Sequence, residues 1–310
     1  MRRLAAFGLL VSVAAVSCGG DNSEGGGGSI AQPVRKDETP APVDEVVVRT
    51  ETFVDPSRPT DPPVGAADRT LVTTIRFPES GGPYPLIVLA HGFNGHPRKF
   101  DELTDAWARA GYVVAAPAFP LTNDELVGDR VVADYRNQPA DVSFVIDALL
   151  ELSKSKQDPL NGRLDRNRIG VAGLSLGGVT TFGVTYNSCC RDTRIDAAIT
   201  MAGARFPFDG AYDLVDVPLL LIHGDADPSL AYQGSVDAYA AAAPPKFFVT
   251  ILGGGHAPPF EDTDDPADEM VTAVTIDFWD LFLAARPGTI DQLVADANVP
   301  ALSTLQHEAA

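Results

Sequence analysis

Basic residues are scarce in this chain of 310 residues. Lys and Arg total 23 against 42 Asp and Glu, so the formal net charge is −19. Because the summed field of such a surface repels phosphate groups, the charge argues against nucleic-acid binding and against electrostatic attachment to an anionic membrane. A neutral substrate fits this charge better than an anionic one.

Cysteine is rarer still, with only Cys18, Cys189 and Cys190 in the sequence. Neither of the last two has metal-ligand spacing to a histidine, so the pattern predicts no metal site. Adjacent Cα atoms lie about 3.8 Å apart, which is shorter than relaxed disulfides allow. We therefore expect two half-buried thiols, with a strained vicinal disulfide as the alternative. The acidic residues 261–265 are interpreted as charge at a helix N-terminus rather than as a calcium site.

The apolar run at the N-terminus, residues 4–16, is too short to span a bilayer stably. It follows two arginines, which is typical of a secretory signal. Residues 15–19 resemble a bacterial lipobox, although Ala15 replaces the usual Leu. We expect residues 1–18 to be a signal peptide, and the exported protein to be a cell-envelope lipoprotein that contacts the membrane only through a lipid on Cys18. A secreted protein with a plain signal, or a cytosolic N-terminus, is the alternative.

Glycine and proline dominate the segment that follows. Residues 19–29 are almost entirely Gly, Ser, Asn and acidic residues, a composition that buries too little apolar surface to order itself. We predict a flexible tether and irregular N-terminal arm over residues 19–64, although residues 46–48 could begin an edge strand. Residues 65–310 are then expected to form one folded domain.

From residue 69 onward, short apolar runs alternate with segments of helical periodicity. This alternation is typical of the α/β class, and predicts a mostly parallel sheet of about seven to eight strands with helices on both faces. Helical spacing predicts helices near residues 97–110 and 139–152, one directly after Ser175, and a last long helix from about residue 265. The predicted strands are residues 71–77, 85–90, 112–116, 168–172, 197–201, 217–222 and 247–252.

Residues 173–177, with the sequence GLSLG, match the pattern G-x-S-x-G. They lie between the β-like residues 169–172 and a helix start made of small residues, which is the context this motif requires. A strand-to-helix turn this sharp leaves no room for a side chain at either glycine and projects the serine hydroxyl outward. We therefore predict that Ser175 is a nucleophile.

A serine hydroxyl is a weak nucleophile until a base takes its proton, so a histidine must lie within hydrogen-bond reach. His256 follows the last predicted strand in a glycine loop, downstream of Ser175, as the order Ser, acid, His requires. The other histidines fit different places: His96 is expected to open a helix, His307 lies in a polar tail, and His223 ends a strand as a buried, hydrogen-bonded imidazole.

The acid that orients His256 should follow the strand 217–222, where Asp225 and Asp227 both qualify. Alternation can place both carboxylates on one side, so spacing alone does not separate them. The oxyanion of the reaction also needs backbone N–H donors aimed at it. Leu176, at the helix start, supplies one, and Phe93, in the loop after the strand 85–90, supplies the other.

These features resemble the α/β-hydrolase family over about residues 69–286, through GLSLG, His91-Gly92, Gly224-x-x-Asp227 and Gly255-His256. The segments GYVVAAP and QPADVSFVID resemble those of one branch of the family. This branch contains predicted dienelactone hydrolases, bacterial relatives of platelet-activating-factor acetylhydrolase, chlorophyllases and polyester-cleaving cutinases. The resemblance implies Asp227 as the acid. The chain departs from it at Leu174, where many members have His or Trp, and at Ser175, which is cysteine in dienelactone hydrolases proper.

The resemblance implies a serine carboxylic ester hydrolase that acts through an acyl-enzyme and needs no cofactor. The short connection between the strands 197–201 and 217–222 leaves little or no cap domain, so we expect an open site for a small-molecule or polymeric ester with apolar or aromatic groups. A serine peptidase or amidase of the same fold, and an inactive tethered binding protein, are the alternatives. The expected substrate-binding residues are Phe93, Phe119, Phe206, Phe208, Tyr212 and Phe260.

Overall fold

The computed structural model describes residues 45–60, 67–214, 217–286 and 289–309. The predicted signal peptide, Cys18 and the first part of the predicted tether lie outside these residues. The strands are β1 (Val46–Thr60), β2 (Ala67–Pro78), β3 (Tyr84–Ala90), β4 (Val113–Ala118), β5 (Leu164–Leu174), β6 (Ile195–Met201), β7 (Leu219–Gly224), β8 (Lys246–Ile251) and β9 (Ser303–Glu308).

The helices cover most of the segments between the strands. None of them, within the described ranges, is long and apolar enough to cross a membrane. They are α1 (Asp101–Arg109), α2 (Gln138–Leu152), α3 (Leu176–Tyr186), α4 (Gln233–Ala241), α5 (Asp268–Phe282) and α6 (Thr289–Ala297), with 3₁₀ helices at Pro97–Phe100 and Val132–Arg136.

All nine strands form one sheet in the order β1-β2-β4-β3-β5-β6-β7-β8-β9. Six neighbouring strands in the middle of this order, β4-β3-β5-β6-β7-β8, pair in parallel. The pairs β1 with β2, β2 with β4, and β8 with β9 are antiparallel. All seven predicted strands are present, and the prediction of a mostly parallel sheet is confirmed.

The core lies on both faces of this sheet because side chains alternate along each strand. In β3, Ile87 and Leu89 pack with α1, α5 and α6, while Leu86 and Val88 pack with α2 and α3 on the opposite face. Helix α4 packs on the same side as α3, around Phe248 of β8. A strand buried on both faces reads as a continuous apolar run, which is why the central strands were predictable.

The edge strand that the sequence allowed to begin at residues 46–48 is present as β1, Val46–Thr60, so the prediction of an irregular arm is wrong over this range. It pairs antiparallel with β2 from Val46 opposite Pro78 to Thr60 opposite Ala67. Its inward residues Val47 and Phe53 pack on the core shared with α2, while alternate residues are exposed. Proline and charge in this segment suggested a loop, yet an edge strand tolerates both because one of its edges faces solvent.

Strand β9 and helices α4 and α6 were also not predicted. The sequence of β9, STLQHE, is polar, and backbone pairing with β8 rather than apolar burial holds it. His307, expected in a polar tail, lies in this strand and stacks on Phe247 with ring centroids 5.8 Å apart. Hydrophobic periodicity gives no signal for a strand of this kind.

Cys189 and Cys190 are joined by a disulfide, so the expectation of two thiols is wrong. The pair occupies a turn after α3 that is closed at Asn187, whose side-chain and main-chain oxygens accept the N–H groups of Cys189 and Cys190, each at 3.1 Å. The expectation of two thiols was based on the short distance between adjacent Cα atoms, which is 3.8 Å here as well. The vicinal disulfide, which the sequence left as the alternative, is the form present.

Candidate active site

Ser175 is the single residue between β5 and α3, with φ 57° and ψ −115°. A positive φ is a strained conformation for a residue with a side chain, and such strain concentrates at functional sites. The turn is so tight that a Cβ on Gly173 would overlap the backbone of Gly177, and one on Gly177 would overlap the carbonyl of Ala90. Both glycines of the motif are therefore required by close backbone approach.

The structure brings Ser175, His256 and Asp227 together. The Oγ of Ser175 lies 2.7 Å from Nε2 of His256, and Nδ1 of His256 lies 2.6 Å from Oδ2 of Asp227. The three follow β5, β8 and β7, whose carboxyl ends meet at one edge of the sheet, where ligands bind in open α/β folds. An unbroken chain of hydrogen bonds thus runs from the serine hydroxyl to a carboxylate.

The carboxylate of Asp227 is buried and accepts hydrogen bonds on both oxygens. Its Oδ1 accepts the N–H groups of Ser229 at 2.6 Å and Leu230 at 3.0 Å, while Oδ2 faces His256. Burial by itself would raise the pKa of Asp227, but these hydrogen bonds outweigh it and hold the pKa below the ordinary value. The carboxylate is therefore anionic at neutral pH.

Asp225 has a different position from Asp227, although the two are only two residues apart. Its Oδ1 accepts the N–H of Gly253 at 2.6 Å, and the residue is exposed. It therefore holds the start of the loop that carries His256, and no hydrogen bond to His256 connects it to the site. The structure separates the two candidates that spacing left open.

The predicted oxyanion donors belong to the start of α3 and to the loop after β3. Leu176 is the first residue of α3, where a helix leaves N–H groups without an internal partner. Phe93 follows Gly92, whose backbone lies against Ser175: a Cβ built on Gly92 would come within 3.2 Å of Cβ of Ser175. This contact places the loop after β3 beside the serine.

Buried His91 anchors that loop. Its Nε2 accepts the N–H of Phe119 at 2.9 Å, and its Nδ1–H donates to the carbonyl of Gly92 at 2.7 Å. Burial lowers the pKa of His91 to about 4, so the imidazole is neutral at pH 7 and can accept at one nitrogen while donating at the other.

Four of the six expected substrate-binding residues reach the surface. Phe93 is 43% exposed, and Phe206, Phe208 and Tyr212 are half-buried. Phe206 and Phe208 pack edge-on against Tyr135, with centroids 5.4 and 5.1 Å apart, in a cluster that includes Leu176. An apolar surface therefore adjoins Leu176, the residue after Ser175.

The prediction that the other two, Phe119 and Phe260, bind substrate is wrong. Phe119 is fully buried and its ring packs 5.1 Å from that of His91, so it supports the loop from beneath. Phe260 is 3% exposed and belongs to the core with Met270 and Val271. Phe119 directly follows β4 and Phe260 follows the loop of His256, which suggested substrate contacts, but both side chains point into the core.

His223 is buried and hydrogen-bonded, as expected, but its contact with Asp227 was not predicted. Its Nε2 lies 3.0 Å from Oδ2 of Asp227, the same oxygen that faces His256. The signal in the sequence was a polar residue closing the apolar run of β7, directly before Gly224.

The acidic stretch 261–265 serves two helix starts. Both carboxylate oxygens of Asp262 accept the N–H of Glu102 at 3.2 Å, at the beginning of α1. Asp265 accepts the N–H of Ala267 at 2.9 Å, directly before α5. Among the described residues, no group of three or more His, Cys, Asp or Glu side chains is placed to hold a metal ion.

Comparison with known proteins gives matches to a family, to a curated relative and to solved structures. The model of a family described as PETase, PET hydrolase-like, matches residues 71–273. A protein of Methylorubrum extorquens provisionally named carboxymethylenebutenolidase is 25% identical over 202 residues, covering 58% of this chain and 65% of that protein. This chain thus spans just under two thirds of the length of that relative.

Among solved structures, a ferulic acid esterase from Streptomyces cinnamoneus superposes with a TM-score of 0.64 and 22% identity, covering 89% of this chain and 98% of that one. This likeness, with the family match, identifies the α/β-hydrolase fold expected from the sequence. All three names are those of carboxylic ester hydrolases, which agrees with the expected enzyme class.

Proposed function

Since this chain belongs to the PET hydrolase-like family of α/β-hydrolases, we propose that it is an exported serine hydrolase that cleaves carboxylic esters through an acyl-enzyme. The observation that carries the proposal is the unbroken set of hydrogen bonds from Ser175 through His256 to Asp227 at a strained strand-to-helix turn. Such an arrangement can activate a hydroxyl that is otherwise unreactive.

In the first step Ser175 Oγ attacks the ester carbonyl while Nε2 of His256 takes its proton. Asp227 keeps Nδ1 of His256 protonated and stabilises the imidazolium that forms. His256 then gives the proton to the leaving alcohol, which departs as the acyl-enzyme forms. Water repeats the sequence in the second step, so the acid is released and Ser175 is regenerated.

The N–H groups of Leu176 and Phe93 receive the oxyanion in both steps. Such donors matter most when they are already aimed at the site, because no reorganisation is then needed as charge develops. His91 supports this role indirectly, since it ties the loop of Phe93 to the backbone of Phe119.

The substrates we propose are esters with apolar or aromatic groups, of short-chain, lipid acetyl or polyester type. Support comes from the apolar surface of Phe206 and Phe208 beside Leu176, and from exposed Phe93. The described residues between β6 and β7 include no helix, so no helical cap arises there. An open site of this kind admits a polymer chain as well as a small ester.

Ester hydrolysis and its loss in Ser175→Ala test the proposal. We expect the wild-type chain to cleave nitrophenyl esters, and the variant to lose about 10⁴-fold or more in kcat. A fluorophosphonate probe should label the wild-type chain but not Ser175→Ala. Ser153→Ala is the control and should be labelled, because the Ser153 hydroxyl only donates to the Leu150 carbonyl at the end of α2.

The substrate panel should run from acetate to palmitate esters and include a lactone, a polyester film and a peptide amide. Cleavage of the amide without cleavage of any ester would favour a peptidase of the same fold. Folded, unlabelled protein without activity on the whole panel would leave only a binding role.

We propose further that the protein is exported and lipidated on Cys18, on the strength of the sequence of residues 1–19. Intact-mass analysis of the membrane fraction should show a mature chain that begins at a diacylglyceryl-modified Cys18. A soluble chain cleaved at another position would contradict this proposal and leave the ester hydrolase proposal untouched.

A further inference from the structure

His223 is fully buried at the end of β7 and makes polar contacts on both ring nitrogens. Its Nε2 lies 3.0 Å from Oδ2 of Asp227 and 3.2 Å from the carbonyl oxygen of Leu230. Its Nδ1 lies 2.7 Å from Oγ of Ser235, in the first turn of α4. The ring therefore connects α4 to the acid of the proposed triad.

These contacts select one tautomer of His223. A carboxylate and a backbone carbonyl only accept hydrogen bonds, so Nε2 must carry the proton that faces Asp227 and Leu230. Nδ1 then has a free lone pair, which accepts the hydroxyl proton of Ser235. The hydroxyl of Ser235 thus favours the tautomer that donates to Asp227.

The ring of His223 is held in place by packing as well as by hydrogen bonds. The Tyr232 ring meets it edge-on at 5.8 Å and stacks on Phe248 at 5.4 Å, and the Tyr232 hydroxyl bonds Thr250 at 2.5 Å. The titratable groups that face His223 are Asp227, His256 and Tyr232. Burial lowers the pKa of His223 despite the nearby carboxylate, which favours the neutral ring.

We propose that His223 is a positioning residue, a neutral histidine whose Nε2–H donates to Oδ2 of Asp227 and sets the orientation of that carboxylate toward His256. The inference rests on the proposed ester hydrolase function. It gives a fourth side chain a part in the proposed site, acting through Asp227 without contact with the substrate.

The position of Oδ2 explains why a second donor matters. The backbone N–H groups of Ser229 and Leu230 hold Oδ1, but they leave the carboxylate free to tilt about that end. His223 and His256 approach Oδ2 together, so the donor from buried His223 fixes the point at which His256 must bind. It also draws charge from Oδ2, which moderates the pull of Asp227 on the His256 proton.

Three substitutions of His223 separate a hydrogen-bond role from simple filling of space. Gln carries an amide N–H at about the reach of Nε2, Asn carries one at about the reach of Nδ1, and Leu carries none. We expect His223→Leu and His223→Asn to lose about 10- to 100-fold in kcat on a nitrophenyl ester with little change in KM, because only the alignment of the base is disturbed. His223→Gln should retain most of the kcat.

The pH profile adds a readout that packing would not move. Without the donor from His223, Asp227 holds the His256 proton more strongly, so the acid limb of kcat/KM should shift to higher pH in His223→Leu and His223→Asn. His223→Gln should keep the limb of the wild-type chain. Thermal melting of each variant shows whether its fold is retained.

Two measurements remain available if the variants of His223 do not fold. Ser235→Ala leaves His223 in place but frees its Nδ1, and should lower kcat about three- to tenfold with KM unchanged. In the wild-type chain, ¹⁵N-edited NMR of the imidazoles should show His223 protonated on Nε2 and not on Nδ1.

Protonation of His223 on Nδ1 in that spectrum would overturn the proposal, as would wild-type kcat in folded His223→Leu or equal losses in the Leu and Gln variants. Failure of the proposed function is distinguishable from these outcomes. A wild-type chain that hydrolyses no ester refutes the function, whereas an active wild-type chain with unaffected variants refutes only the role of His223.

Discussion

Replacing Asp227 with asparagine removes a charge from a site that has two kinds of donor. Oδ1 accepts two backbone N–H groups, from Ser229 and Leu230, and Oδ2 faces the imidazoles of His256 and His223. A backbone N–H cannot change its polarity, whereas an imidazole can move its proton to the other nitrogen. The amide oxygen of the substituted side chain therefore takes the place of Oδ1, and its NH₂ takes the place of Oδ2.

The consequence for His256 is a change of tautomer. Its Nδ1 must accept from the new NH₂, so the proton moves to Nε2, the nitrogen 2.7 Å from Oγ of Ser175. A protonated Nε2 cannot take the serine proton. We expect Asp227→Asn to lose about 10³- to 10⁴-fold in kcat, equivalent to about 4–5.5 kcal/mol of the barrier, with the fold intact.

Asp225→Asn is the matched control, because it makes the same change two residues away. Asp225 accepts one backbone N–H, from Gly253, and an amide oxygen can do the same. Its loss in kcat should stay below about tenfold. Hydrolysis of one nitrophenyl ester by the three purified chains measures both effects. A larger loss in Asp225→Asn than in Asp227→Asn, or a loss below about tenfold in Asp227→Asn, would refute the assignment of the acid.

Three further predictions concern the support of the site. Gly177→Ala places a Cβ on top of the Ala90 carbonyl in β3 and should lower the free energy of unfolding by about 3 kcal/mol or more. Gly234→Ala is the control, because its Cβ meets nothing within 4 Å, and it should be neutral or stabilising. Urea unfolding measures both. His91 takes up a proton near pH 6.5 in the unfolded chain but only near pH 4 in the folded chain. The free energy of unfolding should therefore fall by about 2 kcal/mol between pH 7 and pH 4.5, and by less in His91→Gln. Alkylation of the unfolded chain should modify Cys189 and Cys190 only after reduction, and modification without a reductant would contradict the disulfide.

Much of the central sheet could be predicted because its strands are buried on both faces and their composition shows it. The six strands from β3 to β8 fall into this group, whereas β2 alternates between buried and exposed residues over its first half. Strands β1 and β9 lie at the edges, where backbone pairing with one neighbour replaces apolar burial, and their sequences contain proline, charge or polar residues. The burial of Phe119 and Phe260 likewise depends on which way the chain turns after leaving a strand.

The local sequence alone determined the position of the proposed nucleophile. The turn at Ser175 forms within five residues, where a Cβ on Gly173 would overlap the backbone of Gly177, so the pattern is readable without a fold. The close approach at Gly177 is tertiary, because its neighbour is the carbonyl of Ala90 in β3. The choice between Asp225 and Asp227 required the tertiary structure, because a hydrogen bond across 29 residues to His256 depends on how two loops meet. The contact of His223 with Asp227 was decided there too: four residues apart in sequence, the two meet only because the loop after β7 folds back over the end of its own strand.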